Sequence, residues 1–414
     1  MQPVKISILG DYVDCQIYRG RLYLWTFEGS LKTLLWNEIV SSLAKNERDR
    51  LPLRFCFLDG NHLYKPDILD LLTDEDFKQL LMEKFEGISN QDYCLDEKEV
   101  DRHLFGEQGA PENNIPTDTE IYNSRLYYIT EDGLFSATAH TSSKKYPVGH
   151  KSKKHWDCNL LSIKANKYPQ LALSGGSEGL FELDLYGLNS KTKSREPNHL
   201  SRNHSSFANY TFWSLYNSSL VDNSYLAMFD LQRVQTETSP LDAFSFEKPK
   251  FQRSYKAEIG ENEIFETKHN AKYLSWGVDD KIYRATSEGF EIVKFRNKPN
   301  ADKGEGHFTH VQNLALRQWK GKVIGGGVSY FGTIVECENA LVVMLSDGDV
   351  ITVRGPITRW RIYPRSINYQ NHLHVIKEDR IEIYSFNQDF FLAQNEKLMG
   401  LEHKEPWSWA KNFR

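Results

Sequence analysis

One short unit recurs along most of this chain, and it limits the possible folds more than any other feature. Residues 17–29 read Ile-Tyr-Arg-Gly-Arg-Leu-Tyr-Leu-Trp-Thr-Phe-Glu-Gly, and residues 121–133 read Ile-Tyr-Asn-Ser-Arg-Leu-Tyr-Tyr-Ile-Thr-Glu-Asp-Gly. Ile, Tyr, Arg, Leu, Tyr, Thr and Gly agree in register between the two. A third copy runs over 281–289, and weaker relatives occupy 171–179 and 341–348. Each is an apolar strand that runs into an acidic residue and a glycine, after which a second strand begins. The acidic–Gly pair supplies the positive φ that a tight hairpin needs. Two further hairpins, 225–230 and 372–379, end on Asp without the glycine. The turns are therefore expected at Gly29, Gly133, Gly179, Asp230, Gly289, Gly348 and Asp379.

From Gly133 to Gly348 the steps are roughly 45 to 60 residues, the length of a four-stranded blade. This spacing resembles the β-propeller superfamily at the level of architecture, over roughly residues 1 to 390. The resemblance implies an all-β chain of about seven four-stranded blades, with six or eight left open, in a propeller spanning 1–396. The chain lacks the recurring Gly-His with Trp-Asp pattern of the tryptophan–aspartate repeats and the regular double-Gly pattern of kelch repeats. No family's active site is carried over. Val4–Leu9 alternates as a strand and is placed to pair with the last blade and close the ring, leaving no free edge. Two stacked β-sandwiches are the rival reading, and the regular spacing of one hairpin type argues against them.

The gap between Gly29 and Gly133 is too long for one step and holds an insertion or a second blade; a helical, acidic insertion is expected over 65–118. Pro66 suits a first helical turn, and Thr73 with Asp76 resembles a capping box. Phe77, Leu80, Leu81 and Phe85 fall on one stripe, and Gly87 is placed to stop the helix. That stripe either packs on a blade or grips a partner. A further hairpin is expected at Phe57–Gly60, and exposed loops at 187–211 and 297–306. The tail, 397–414, leaves the repeat and carries Trp407 and Trp409, which either fold back or anchor a partner.

A net charge of −5 gives no global field that points to nucleic acid or a membrane. The N-terminus does not read as a secretory signal, and no apolar run is long enough to span a bilayer, so the expected location is cytoplasmic. Five scattered cysteines without a CxxC pair argue against a disulfide framework or a zinc site.

Two clusters stand out as candidate contacts. Lys151, Lys153, Lys154, His155 and Trp156 combine cations with an aromatic, a composition that contacts phosphates or acidic partners and equally suits a solvated loop. Arg359 and Arg361 share one strand face with Tyr363 and can grip a carboxylate bidentately, or lie flat on an outer blade face. His372 and His374 also share a face, yet no third ligand at a recognised spacing completes a metal set. No phosphate-cradling loop, nucleophile elbow or Cys–His signature appears. The expectation is a non-enzymatic propeller without catalytic residue, metal or cofactor, serving as an interaction platform for protein partners and not for a membrane. The alternatives are an enzyme or sugar-like ligand site in the central funnel, and a nucleic-acid-contacting subunit that uses the basic loops.

Overall fold

In the computed structural model, alternating apolar residues become strands throughout, and the strands gather into seven sheets. The structure describes residues 2–44, 46–58, 63, 65–166, 170–185, 196–210, 214–218, 223–234, 250–265, 274–286, 289–296, 307–314, 319, 322–386 and 399–401. After β1 (Val4–Leu9) come β2 (Tyr12–Tyr18), β3 (Arg21–Thr26) and β4 (Ser30–Leu35). The chain then leaves the sheet as α1 (Trp36–Leu43), α2 (Glu47–Phe57), α3 (Pro66–Leu71), α4 (Glu75–Ser89), β5 (Tyr93–Leu95) and α5 (Glu97–Arg102). It returns as β6 (Leu104–Gly109), which pairs with β4 and completes the first blade in the order β2-β3-β4-β6.

Four-stranded blades follow in simple meander order. The second is β7 (Asp118–Tyr122), β8 (Arg125–Thr130), β9 (Gly133–Thr138) and β10 (Lys153–Trp156). The third is β11 (Ser162–Ala165), β12 (Gln170–Ser174), β13 (Leu180–Asp184) and β14 (Asn198–Ser201). The fourth is β15 (Phe207–Tyr210), β16 (Ser214–Ser218), β17 (Asn223–Val234) and β18 (Lys250–Gly260), followed by α6 (Glu261–Ile264). The fifth is β19 (Leu274–Val278), β20 (Lys281–Ala285), β21 (Phe290–Phe295) and β22 (Phe308–Leu314). The sixth is β23 (Val323–Ser329), β24 (Gly332–Cys337), β25 (Ala340–Leu345) and β26 (Val350–Arg354). The last blade has three strands of its own, β27 (Arg359–Ile362), β28 (His372–Ile376) and β29 (Arg380–Ser385). Its fourth is β1, which pairs antiparallel with β29 from Val4↔Ser385 to Leu9↔Arg380. β5 then pairs in parallel with β1, Ile6↔Tyr93 to Ile8↔Leu95, as a fifth strand.

The described residues divide into two compact units: those up to Thr130, 135–154 and those after 318 in one, and 131–134 with 155–317 in the other. In the first unit, one apolar cluster joins Ile6 and Ile8 of β1, Ile381 and Ile383 of β29, and Leu81, Phe85 and Ile88 of α4. A second joins Tyr23 and Trp25 to Leu126, Tyr128 and Ala137. A third joins Ile334, Leu341 and Val343 to Leu373 and Val375. In the second unit, Leu180, Leu200, Tyr216, Leu226, Ile282 and Val293 share one cluster. These are the alternating apolar positions of the repeat, whose burial supplies the main stabilising term.

Several expectations shift. The excursion runs from Trp36 to His103, earlier than the insertion drawn at 65–118, because β6 and β7 reclaim the acidic segment as strands. Phe57 ends α2 instead of starting a hairpin, and Pro52 within that helix hides it from a propensity reading. Asp74, not Thr73, caps α4 by accepting from the Phe77 amide at 2.9 Å, and Gly87 lies inside the helix. Leu81, Phe85 and Ile88 are buried on the blade, and Leu80 is exposed. Asp230 sits in the middle of β17, paired with Ser254, and makes no turn. β14 and β15 occupy part of the stretch expected to be loop at 187–211, and 297–306 falls outside the described residues.

Candidate functional site

The densest polar chemistry in the first unit lies on the first strands of three blades, β2, β7 and β27. Alternation puts Asp14 and Gln16 on one face of β2 and Arg359 and Arg361 on one face of β27, while Asp118 opens β7. Arg361 donates from Nε to Asp14 Oδ1 at 2.9 Å and from Nη2 to Asp14 Oδ2 at 2.6 Å and Asp118 Oδ1 at 2.7 Å. Arg359 donates to Asp118 Oδ1 at 3.1 Å and to the Thr117 carbonyl at 2.6 Å. Thr119 Oγ1 donates to Asp14 Oδ2 at 2.8 Å, and Gln16 Nε2 donates to the Thr119 carbonyl at 3.0 Å. The Asp14 side chain is 1% exposed and that of Arg361 11%. Burial opposes charge on Arg361, but Asp14 and Asp118 outweigh it and raise its pKa well above the ordinary value. The bidentate grip foreseen for Arg359 and Arg361 therefore exists, and the carboxylates that fill it are the chain's own.

A second buried set lies nearby. Cys15 Sγ is 3.6 Å from His374 Nδ1, and Tyr363 Oη is 3.3 Å from the same nitrogen. His372 donates from Nε2 to the Cys56 carbonyl at 3.0 Å, which places its proton on Nε2. Burial pushes the Cys15 thiol up to about 12 and His372 down to about 4, and takes His374 well below its usual range. Uncharged and enclosed, these groups are poor nucleophiles and bases. Among the described residues, no group of three or more His, Cys, Asp and Glu side chains is arranged to hold a metal ion.

The basic cluster lies elsewhere. Lys153, Lys154, His155 and Trp156 form β10, the outer strand of the second blade, with Lys151 just before it. Lys151, Lys153 and Lys154 are exposed, as are Lys144 and Lys145 in the preceding loop. That loop is held firmly. Thr141 accepts from Arg21 through its carbonyl at 2.6 Å, and the Val148 amide donates to Gln108 at 3.0 Å. It also lies so close to β6 that a Cβ on Gly106 would come within 1.9 Å of the Lys144 carbonyl oxygen. From residue 133 to 156 there are five lysines and no Asp or Glu. Among the described residues, Lys144, Lys145, Lys151 and Lys153 have no carboxylate partner. Trp156 and His155 are half-buried, and the Trp156 ring lies 5.8 Å from that of Phe181, so it is packed instead of presented. Trp407 and Trp409 fall outside the described residues.

Sequence reasoning missed Asp14, Gln16, Asp118 and Thr119. The available signal was two polar residues two apart inside the otherwise apolar strand Tyr-Val-Asp-Cys-Gln-Ile, at the positions that face neighbouring first strands.

No family model matches the chain, and no curated protein does. Solved structures match. The β-propeller domain of Cps50 (Swd1) from Myceliophteria thermophila shares 7% identity over 93% of this chain and 99% of that one, with a TM-score of 0.50. The fold is a seven-bladed β-propeller. The Pan2 WD40 domain of Neurospora crassa is also similar, at 8% identity over 91% of this chain and 90% of that one, with a TM-score of 0.46. At such identities the likeness is one of fold alone. Among the described residues, no helix is long and apolar enough to cross a membrane.

Proposed function

We propose that this propeller is a non-enzymatic interaction platform, a subunit of a larger protein assembly. One contrast carries the reading. The buried guanidinium and carboxylate groups of the first strands satisfy one another, whereas among the described residues Lys144, Lys145, Lys151 and Lys153 of the second blade have no carboxylate partner. Charge held inward ties blades together, and charge left outward is free to meet another surface. The central-funnel reading has no comparable observation behind it.

Size-exclusion chromatography of native extract tests the proposal. Most of the endogenous chain should elute well above its own 48.1 kDa. Elution as a lone 48.1 kDa species, with turnover of a small substrate by that species, would refute it.

A further inference from the structure

We infer that Arg19, Arg21 and His140, at one end of the first two blades, bind the phosphate of a phosphorylated serine or threonine on a partner protein. The inference rests on the platform reading and names a site and the chemistry that fills it. Arg21 opens β3, and Tyr18 and Arg19 stand just before it at the turn from β2. His140 and Thr141 lie in the loop between β9 and β10. All of these residues belong to the first compact unit.

The repeat provides its own control. Arg21 and Arg125 hold the same place in the unit, the first residue of Arg-Leu-Tyr. Arg125 is answered within its own blade, where Nε and Nη2 donate to Ser136 Oγ at 3.1 and 2.9 Å. Arg21 is not. It is 8% exposed, lies over the Phe105 ring at 3.7 Å, and donates from Nη1 to the Thr141 carbonyl at 2.6 Å. The Tyr23 hydroxyl near it makes no hydrogen bond among the described residues. Nor does Arg21 have a carboxylate partner among them: Glu107, two residues beyond Phe105, accepts from Ser30 Oγ at 2.6 Å instead. A guanidinium stacked in place, largely buried and without a counter-charge is a preformed fork for an oxyanion.

Two further groups converge on it. His140 Nδ1 is buried with no hydrogen-bond partner among the described residues, and its ring meets that of Tyr18 edge-on at 6.5 Å. Burial, then Arg21, then Arg19 lower the His140 pKa, so the charges acting on this ring are cations. Arg19 takes a φ of +48°, a left-handed turn position that Asn123 and Asp279 fill in other blades. Arginine is not what such a turn requires, and a residue held there against its backbone preference points to a use for its side chain. One phosphate suits the site better than a phosphate-rich surface. The chain enters the excursion at Leu35, which pairs with Arg21, and residues 66–102 carry twelve Asp and Glu against four Lys and Arg. That acidic body repels a nucleic acid or an anionic membrane, whose charge is spread, more than a segment bearing a single phosphate.

The test is retention, on the immobilised full chain, of degenerate peptide libraries built around a fixed phosphoserine, a fixed glutamate or a fixed serine. Wild type should retain the phosphoserine library about tenfold better than the other two, because a phosphate brings more charge and more acceptor oxygens than a carboxylate. R19N restores an ordinary turn residue, so it should keep the thermal midpoint and yet weaken retention about threefold; R21Q should weaken it about tenfold. The inference is overturned by equal retention of the three libraries, by unchanged retention on R19N or on R21Q, or by tighter binding of phosphatidylinositol phosphate vesicles, a single-stranded oligonucleotide or free phenyl phosphate than of the phosphoserine peptides. The chromatography of native extract scores the platform separately: an assembly-sized peak beside failed retention sinks the phosphate site alone.

Discussion

Replacing Arg361 by methionine should cost the fold about 3 kcal/mol, and the figure follows from what is left behind. Asp14 loses its two guanidinium bonds at 2.9 and 2.6 Å while its side chain stays 1% exposed. Removing one partner of a buried ion pair typically costs about 3–5 kcal/mol, because the surviving charge is stranded. Here Asp14 keeps the Thr119 hydroxyl at 2.8 Å, the Cys15 amide at 2.8 Å and the more distant Arg359 guanidinium at 3.6 Å, which places the loss at the low end. Asp118 adds little, since Arg359 still holds it at 3.1 Å. The double variant D14L/R361M strands no charge at Asp14 and should recover about 2 kcal/mol of the loss. Urea unfolding followed by tryptophan fluorescence measures both, and the D14L single variant closes the double-mutant cycle. A single-variant loss below about 1 kcal/mol, or a double variant no more stable than R361M, would show that the network does not join the first strands as described.

Three further perturbations probe other parts of the fold. Phe85→Ala empties a fully buried site where α4 meets β1 and β29 and should cost about 3–5 kcal/mol, read as a lower thermal midpoint. Gly133→Ala places a Cβ 2.0 Å from the Trp156 carbonyl oxygen at a φ of +123° and should destabilise by more than about 2 kcal/mol. Gly29→Ala at φ +77°, with no atom within 4 Å, should cost only about 1 kcal/mol, so equal losses at the two glycines would count against the close approach. His372, neutral when folded with its pKa near 4, takes up its proton more readily in the unfolded chain, where the pKa is about 6.5. Stability should therefore fall as pH drops from about 6.5 toward 4, by on the order of 3 kcal/mol, and His372→Gln should flatten that slope in urea titrations at several pH values.

The hairpin turns were legible because their chemistry is local. Gly29, Gly133, Gly179 and Gly289 each join the second strand of a blade to the third, as the acidic–Gly signal implies. The same signal was ambiguous at Gly348, which joins the third strand to the fourth, since any apolar strand ending in Asp-Gly makes the same turn wherever it stands in the blade. Asp230 misled for the complementary reason: without glycine, an Asp inside an apolar run is equally compatible with a strand that continues. α1 and α2 escaped notice because the interior Pro52 and many charges mask their apolar positions, whose burial depends on strands far away in sequence. The network at Asp14 was half visible. Arg359 and Arg361 announced a bidentate site, but their partners lie more than 200 residues away, a pairing that only the blade arrangement creates.

The addition of β5 beside β1 has a consequence for how the chain is made. β1 is synthesised first, yet its antiparallel partner β29 follows about 370 residues later, which at 5–20 residues per second is a wait of roughly 20 to 75 s. β5 and α4 emerge early in that interval, and they cover the second edge of β1 and the apolar stripe of Ile6 and Ile8. The excursion in the first blade can thus act as a nascent-chain placeholder, shielding the closing strand on the ribosome until the last blade arrives to claim it.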